Sequence, residues 1–178
     1  MNKILLTLPG RLTRWKGQID FLNIISLLRN EYPNIHGLIV GDVRENKLSF
    51  LKELKDKAIE LNIKDNISFI GHRSDLKEIM SISKIVFSLS NEPEAFGRTT
   101  IESLKIGVPV IGYGHGGVGE QLTEVFPQGI IKKDDISAAV NLCGDWIKKM
   151  PKVKKTDLFN LATMQNNTLK IYKAALKN

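Results

Sequence analysis

"KIVFSLSNEPEAFGRTTIESLKIGVPVIGY", residues 84–113, reads as strand, loop, helix, strand. "KIVFSLS" (84–90) and "VPVIGY" (108–113) are short apolar strands, and 98–106 is a helix between them. Strand–helix–strand is the unit from which parallel sheets are built. Within it, Glu94 and Glu102 stand eight residues apart around Gly97. An acid near a helix start complements the macrodipole, which accounts for Glu102. A Pro-containing loop accounts for Glu94. Neither accounts for a glycine at the helix entrance.

The same alternation runs outward in both directions. Upstream lie a strand at 3–8, a helix at 17–33 ended before Pro33, a strand at 35–42 and a charged amphipathic helix at 46–63. A strand at 66–71 and a helix at 74–83 follow. Downstream come a short helix near 119–124, a strand at 128–131, a helix at 135–149 and a last helix at 157–176. Strict alternation implies an α/β fold with a parallel sheet and helices on both faces. Ligands of such sheets bind in the loops after the strands. The unusual residues do follow strands: "PGRLTRWKG", "GD", "GHR", "NEPEAFGRT" and "GYGHGG".

A chain of 178 residues suffices for one α/β domain with a core. The lone cysteine, Cys143, cannot form an internal disulfide, and no apolar run is long enough to span a bilayer. No signal peptide is evident, so a cytoplasmic location is expected. The net charge is +7. All of the surplus lies from Trp146 onward, where eight lysines (148, 149, 152, 154, 155, 170, 173 and 177) meet one acid, Asp157. The remainder is neutral, which argues against a general nucleic-acid binder. The basic tail reads either as a solvated lysine-rich helix or as a face meeting anionic lipid at the inner membrane surface.

The first loop offers Arg11, Arg14 and Lys16 where a helix opens. Cations beside free N–H groups make an anion site, and a solvated basic loop is an equal alternative. "GYGHGGVG" (112–119) satisfies the G-x-G-x-x-G spacing twice, through Gly112, Gly114 and Gly117 and through Gly114, Gly116 and Gly119. A dinucleotide fingerprint belongs on the first strand–helix unit, with an acid about 20 residues on. This is the fifth unit and "IIKKDD" follows, so an NAD site is rejected. In the central motif, N–H groups near Phe96, Gly97 and Arg98 suit a phosphate or a sugar hydroxyl. A carboxylate pairs well with a vicinal diol, since it only accepts. Two carboxylates flanking a phosphate site describe a nucleotide-sugar pocket.

"EAFGRTTIE" (94–102) resembles the E-x-F-G-x-x-x-x-E motif of the group 1 retaining glycosyltransferases, which have the GT-B fold. "GRLTRWKG" (10–17) is similar to that family's G-R-L-x-x-x-K-G loop. "LIVGD", "ISFIGHR", "ESLKIGVPVIGY" and "GGVGE" follow in the family's order from about residue 3 to 150. The resemblance implies one half of a GT-B fold: a Rossmann-like, doubly wound, six-stranded parallel sheet in order 3-2-1-4-5-6 with a C-terminal helix. It implies a nucleotide-sugar-binding domain over 1–155. The segment 156–178 would then hold a helix that crosses back to an N-terminal acceptor domain absent from this chain.

The implied activity is retaining transfer from a nucleotide diphosphate sugar, with the isolated chain inactive. Arg11 and Lys16 would bind the diphosphate. Glu94 would hold sugar hydroxyls, helped by backbone N–H groups of Phe96 and Gly97. Thr99 and Thr100 would support the phosphate through their N–H groups, Glu102 would grip the ribose, and His72 and Arg73 would lie near the base. Gly116 and Gly117 would shape a turn, and His115 is not among the expected ligands. No cofactor is implied, and the absence of D-x-D gives no reason to expect a metal. Three departures concern loop shape: Gly119 where a proline is frequent, "VREN" (43–46) after "VGD", and Trp15 in the phosphate loop. Rival readings are a non-catalytic nucleotide- or phosphate-binding module and a same-fold epimerase or phosphorylase.

Overall fold

A computed structural model describes residues 3–43, 48–154 and 156–176. Arg44 to Asn46 of the departing loop, the first two residues of the helix expected at 46–63, and Lys155 and Lys177 of the basic tail lie outside the described residues.

Six strands alternate with helices: β1 (Ile4–Pro9), α1 (Gln18–Glu31), β2 (Ile35–Val40), α2 (Leu48–Glu60), β3 (Ile67–Phe69), α3 (Leu76–Ser81), β4 (Ile85–Ser88), α4 (Arg98–Lys105), β5 (Val110–Tyr113), α5 (Gly116–Val125), β6 (Ile130–Ile131), α6 (Ile136–Lys148) and α7 (Leu161–Ala175). All strand pairs are parallel and the order is β3-β2-β1-β4-β5-β6, as expected. β1 sets the register, facing β2 from Ile4↔Ile35 to Pro9↔Val40 and β4 at Leu6↔Ile85 and Thr7↔Val86. Every residue of β4 and β5 is buried. This is the continuous apolar pattern of strands covered on both faces.

The covering is complete. α1 packs between α2 and α6 on one face, and α4 packs between α3 and α5 on the other. α1 buries Phe21, Leu22, Ile24, Ile25 and Leu28, and the Phe21 ring meets Phe87 of β4 at 5.3 Å. Each such side chain contributes roughly 1.5–3 kcal/mol on leaving water. Cys143 sits in the same core, and burial pushes its thiol up to about 12.

Three boundaries differ from expectation. β3 is shorter than 66–71, because Gly71 at φ 67 turns the chain out of the sheet. α5 begins at Gly116, before the expected 119, because its first turn packs against the preceding loop. α7 begins at Leu161, not 157. Phe159 at φ 57 breaks the run, and the Asn160 side chain caps the helix by accepting from Thr163 N–H at 2.8 Å.

The apolar residues Leu158, Leu161, Ala162, Leu169, Tyr172 and Leu176 recur at roughly helical spacing, which predicts a face packed on its own domain or on a neighbouring chain. In the structure α7 buries none of its residues, so its own domain does not cover that face. α1 to α6 already cover both faces of the sheet, so α7 has no place in the two covering layers. Among the described residues the segment before it makes a ring contact, Phe159 edge-on to Phe96 at 6.1 Å.

Candidate functional site

The order of the sheet decides where the site lies. β1 and β4 are neighbours, but the chain leaves β1 towards β2 and leaves β4 towards β5. The loops after these two strands therefore diverge and open a crevice at their carboxyl ends, where open α/β sheets bind ligands. Those loops are 10–17 and 89–97, the two basic and acidic stretches singled out from the sequence.

Both loops end in the same device. Gly17 at φ 73 and Gly97 at φ 79 are left-handed N-caps of α1 and α4, and neither helix has a side-chain cap. The N–H groups that open both helices thus carry partial positive charge and meet no capping side chain. Gly97 answers the question of the glycine at the helix entrance. Its positive φ favours glycine, and a Cβ would stand 2.6 Å from Val118 Cγ2.

The two loops are fastened together. The Trp15 carbonyl accepts from Asn91 N–H at 2.7 Å and from the Ser90 hydroxyl at 3.2 Å. His115 braces the same place, with Nε2 donating to the Ser90 carbonyl at 2.7 Å. The result is that Lys16 Nζ lies 2.8 Å from Glu94 Oε1, with 16% and 20% of the two side chains exposed. Lys16 Nζ also sits 4.5 Å from the centre of the Trp15 indole, in reach of a cation–π attraction. Trp15, unusual as a sequence choice, thereby helps hold the lysine.

The expected residues divide into three groups. Lys16, Glu94, Phe96 and Gly97 come together at the crevice. Arg11 is exposed in the first loop, and its carbonyl is tied to Gln18 Nε2 at 3.0 Å. Glu102 is exposed on α4, one turn beyond Arg98, and Thr99 is half-buried in the first turn. His72 and Arg73 follow β3, which lies two strands from β1, or roughly 10 Å. Arg73 is held bidentate by Asp75 at 2.7 and 2.6 Å, and this contact holds the Asp75 carboxyl below its usual range.

Two expectations are corrected. Arg14 leaves the anion loop: it pairs with Glu53 of α2 at 2.9 and 2.5 Å and stacks over the Phe50 ring. The Thr100 N–H already donates to the Gly97 carbonyl at 3.0 Å, and the residue is fully buried. Of the two threonines, only Thr99 keeps an uncommitted first-turn N–H.

Sequence reasoning missed the support behind the acidic loop. The Gly117 N–H donates to the Glu94 carbonyl at 2.8 Å, and Gln121 Nε2 donates to the Phe96 carbonyl at 2.5 Å. It also missed the hydroxyl of Tyr113, which donates to Asp20 of α1 at 2.8 Å. Burial raises the Asp20 carboxyl above its usual range, and the Tyr113 bond opposes that shift. Among the described residues there is no cluster of three His, Cys, Asp or Glu side chains that could hold a metal, and no helix long and apolar enough to cross a membrane.

Known proteins share this fold. Residues 1–157 match the family described as "Glycosyl transferases group 1". A lipopolysaccharide core biosynthesis mannosyltransferase of Rhizobium meliloti is 25% identical over 160 residues, 89% of this chain and 45% of the relative. A trehalose synthase of Pyrococcus horikoshii is 27% identical over 159 residues, 86% of this chain and 37% of the relative. The chain thus spans less than half the length of these relatives. Among solved structures, Anabaena HepE in complex with UDP-glucose superposes with a TM-score of 0.75 at 26% identity, over 83% of this chain and 40% of that one. A glycosyltransferase of Rickettsia africae superposes with a TM-score of 0.82 at 26% identity, over 100% of this chain and 49% of that one.

Proposed function

The chain belongs to the group 1 glycosyl transferases, and from that premise we propose that it is the donor-binding half of a retaining sugar transferase that uses a nucleotide diphosphate sugar. The observation that carries this reading is the pairing of Lys16 with Glu94 between two uncapped helix N-termini. A diphosphate needs cations and N–H donors, and a sugar needs acceptors beside them. The crevice supplies both within one hydrogen-bond length.

Each residue then has a task. Lys16 and Arg11 neutralise the charge that grows on the departing diphosphate, helped by the N–H groups that open α1 and α4. Glu94 accepts from hydroxyls of the transferred sugar, and Glu102 accepts from the ribose diol. This half offers position and charge, and no covalent nucleophile is assigned to it. The acceptor belongs to the remaining length found in the relatives, so the chain alone binds donor without efficient transfer.

HepE binds UDP-glucose in its crystal structure, which favours a uridine nucleotide here as well. Calorimetry with UDP, GDP and ADP, each with and without its sugar, tests the reading. Binding of one nucleoside diphosphate and its sugar more tightly than of the other two pairs supports it, and no binding of any member overturns it. The basic tail adds a second contact: Lys170 and Lys173 lie on the polar side of α7 and face anionic lipid. Failure to float with anionic vesicles at low salt would remove that contact.

A further inference from the structure

The loop that carries Glu94 is held from behind by α5. The first turn of that helix touches it directly. A Cβ on Gly117 would stand 2.7 Å from both Cα and O of Phe96, so only glycine permits this approach. The Gly117 N–H takes the Glu94 carbonyl. One turn further on, Gln121 is fully buried and its Nε2 takes the Phe96 carbonyl.

Gln121 is an unfavourable choice for packing alone. Its Oε1 is buried without a partner among the described residues, and a desolvated acceptor with nothing to accept is destabilising. A leucine would fill the same space on α5 without that penalty. What a leucine cannot do is donate to Phe96.

A planar trans peptide converts that bond into direction. Its C=O and N–H point opposite ways, and the described chain has no cis bonds. Drawing the Phe96 carbonyl towards α5 turns the Gly97 N–H away from α5. Drawing the Glu94 carbonyl to Gly117 does the same to the Ala95 N–H. Neither N–H donates to a backbone carbonyl among the described residues. Both therefore face the open side of the loop that carries Glu94.

We infer that Gln121 is a positioning residue for the sugar subsite, which it serves by fixing the direction of the Gly97 N–H through the Phe96 carbonyl. The inference rests on the donor-site reading given above. It also adds the Ala95 N–H to the sugar-facing donors.

Two variants test it. Gln121→Leu fills the space and cannot donate. Gln121→Glu keeps the shape and donates only when its carboxyl is protonated. Binding of UDP and of UDP-glucose is measured by calorimetry, and the 15N shift of Gly97, which senses the bond made by the Phe96 carbonyl, is followed by NMR. In Gln121→Leu, UDP-glucose should weaken about tenfold or more while UDP changes by less than about threefold, and the Gly97 signal should move. In Gln121→Glu the sugar-specific loss should appear at alkaline pH and recover as the carboxyl takes up its proton. A merely structural role would weaken both ligands together, at every pH. Equal losses for the two ligands, or none, overturn the inference. Should Gln121→Leu fail to fold, the pH series of Gln121→Glu decides. Should the parent protein bind neither nucleotide, the donor reading fails by itself. A Gly97 signal unmoved by either variant then rejects the positioning as well, and a moved one upholds it.

Discussion

Lys16 Nζ and Glu94 Oε1 are 2.8 Å apart, and their bond closes the crevice between the loops after β1 and β4. Exposed ion pairs contribute little to stability, whereas loss of one partner from a desolvated pair leaves an uncompensated charge. This pair lies between those limits, with about one fifth of each side chain in water. In the free protein each group occupies the other's binding capacity. An incoming diphosphate competes with Glu94 for Lys16, and sugar hydroxyls compete with Lys16 for Glu94.

Lys16→Ala should therefore weaken a nucleoside diphosphate far more than the nucleoside. Charge-assisted hydrogen bonds contribute about 1.5–3 kcal/mol, which is about a ten- to hundredfold change in affinity. Titration of UDP and of uridine against parent and variant gives the comparison. Equal losses would show that Lys16 does not meet the phosphates.

Glu94→Gln should separate the sugar from the nucleotide. The amide loses much of its strength as an acceptor for hydroxyls, so UDP-glucose should bind more weakly. It also releases Lys16 from its ion pair, so UDP should bind as well as before or better. Glu102→Gln should weaken UMP and UDP-glucose alike. The reverse assignment by calorimetry would exchange the two roles.

Much of this was legible in the chain itself. The alternation of apolar runs and helical spacing led to the parallel sheet, and Gly97 marked a special helix start. The partner choices were not legible. Arg14 looked equivalent to Arg11 and Lys16, but it reaches Glu53 because α2 lies beside the first loop, and no local pattern encodes that. Nothing in the sequence around Gln121 singles it out. Its burial depends on α5 lying against the loop after β4, which Gly117 permits and only the assembled fold reveals. For α7 the apolar spacing is visible in the sequence, but an apolar face says nothing of what covers it.

Asp20 gives a pH-dependent test of the frame beneath the site. Burial raises its carboxyl pKa in the folded protein, more than the Tyr113 bond lowers it. A raised folded value means that the folded state binds the proton more tightly. The associated stability is present below the unfolded carboxyl pKa and is lost as pH rises through the folded value. At neutral pH the ionised Asp20 is thus a cost. Asp20→Asn keeps an oxygen for the Tyr113 hydroxyl and removes the charge. It should raise the melting temperature near neutral pH, and the gain should shrink in acid. A variant less stable than the parent at neutral pH would show that the charged form of Asp20 is favoured by its surroundings.

α7 should behave as a helix waiting for a surface. Leu161, Met164, Ile171 and Tyr172 are all more than half exposed, and they stand three, seven and one residues apart, so at 3.6 residues per turn they share one side. Lys170 and Lys173 lie off that side. A helix of 15 residues has too few hydrogen bonds to be stable in water by itself, and most helices in proteins are held by a packed apolar face. Here that face is open. Each 100 Å² of apolar area covered by another surface would stabilise the helix by about 2.5 kcal/mol. In dilute protein the amides of α7 should therefore exchange with solvent within about tenfold of an unfolded peptide, while those of α1 exchange only through opening of the core. Raising the protein concentration should slow exchange in α7 if a second copy covers the face, and Ile171→Lys should abolish that slowing. Protection of α7 equal to that of α1 at high dilution would mean that the helix is docked on its own domain.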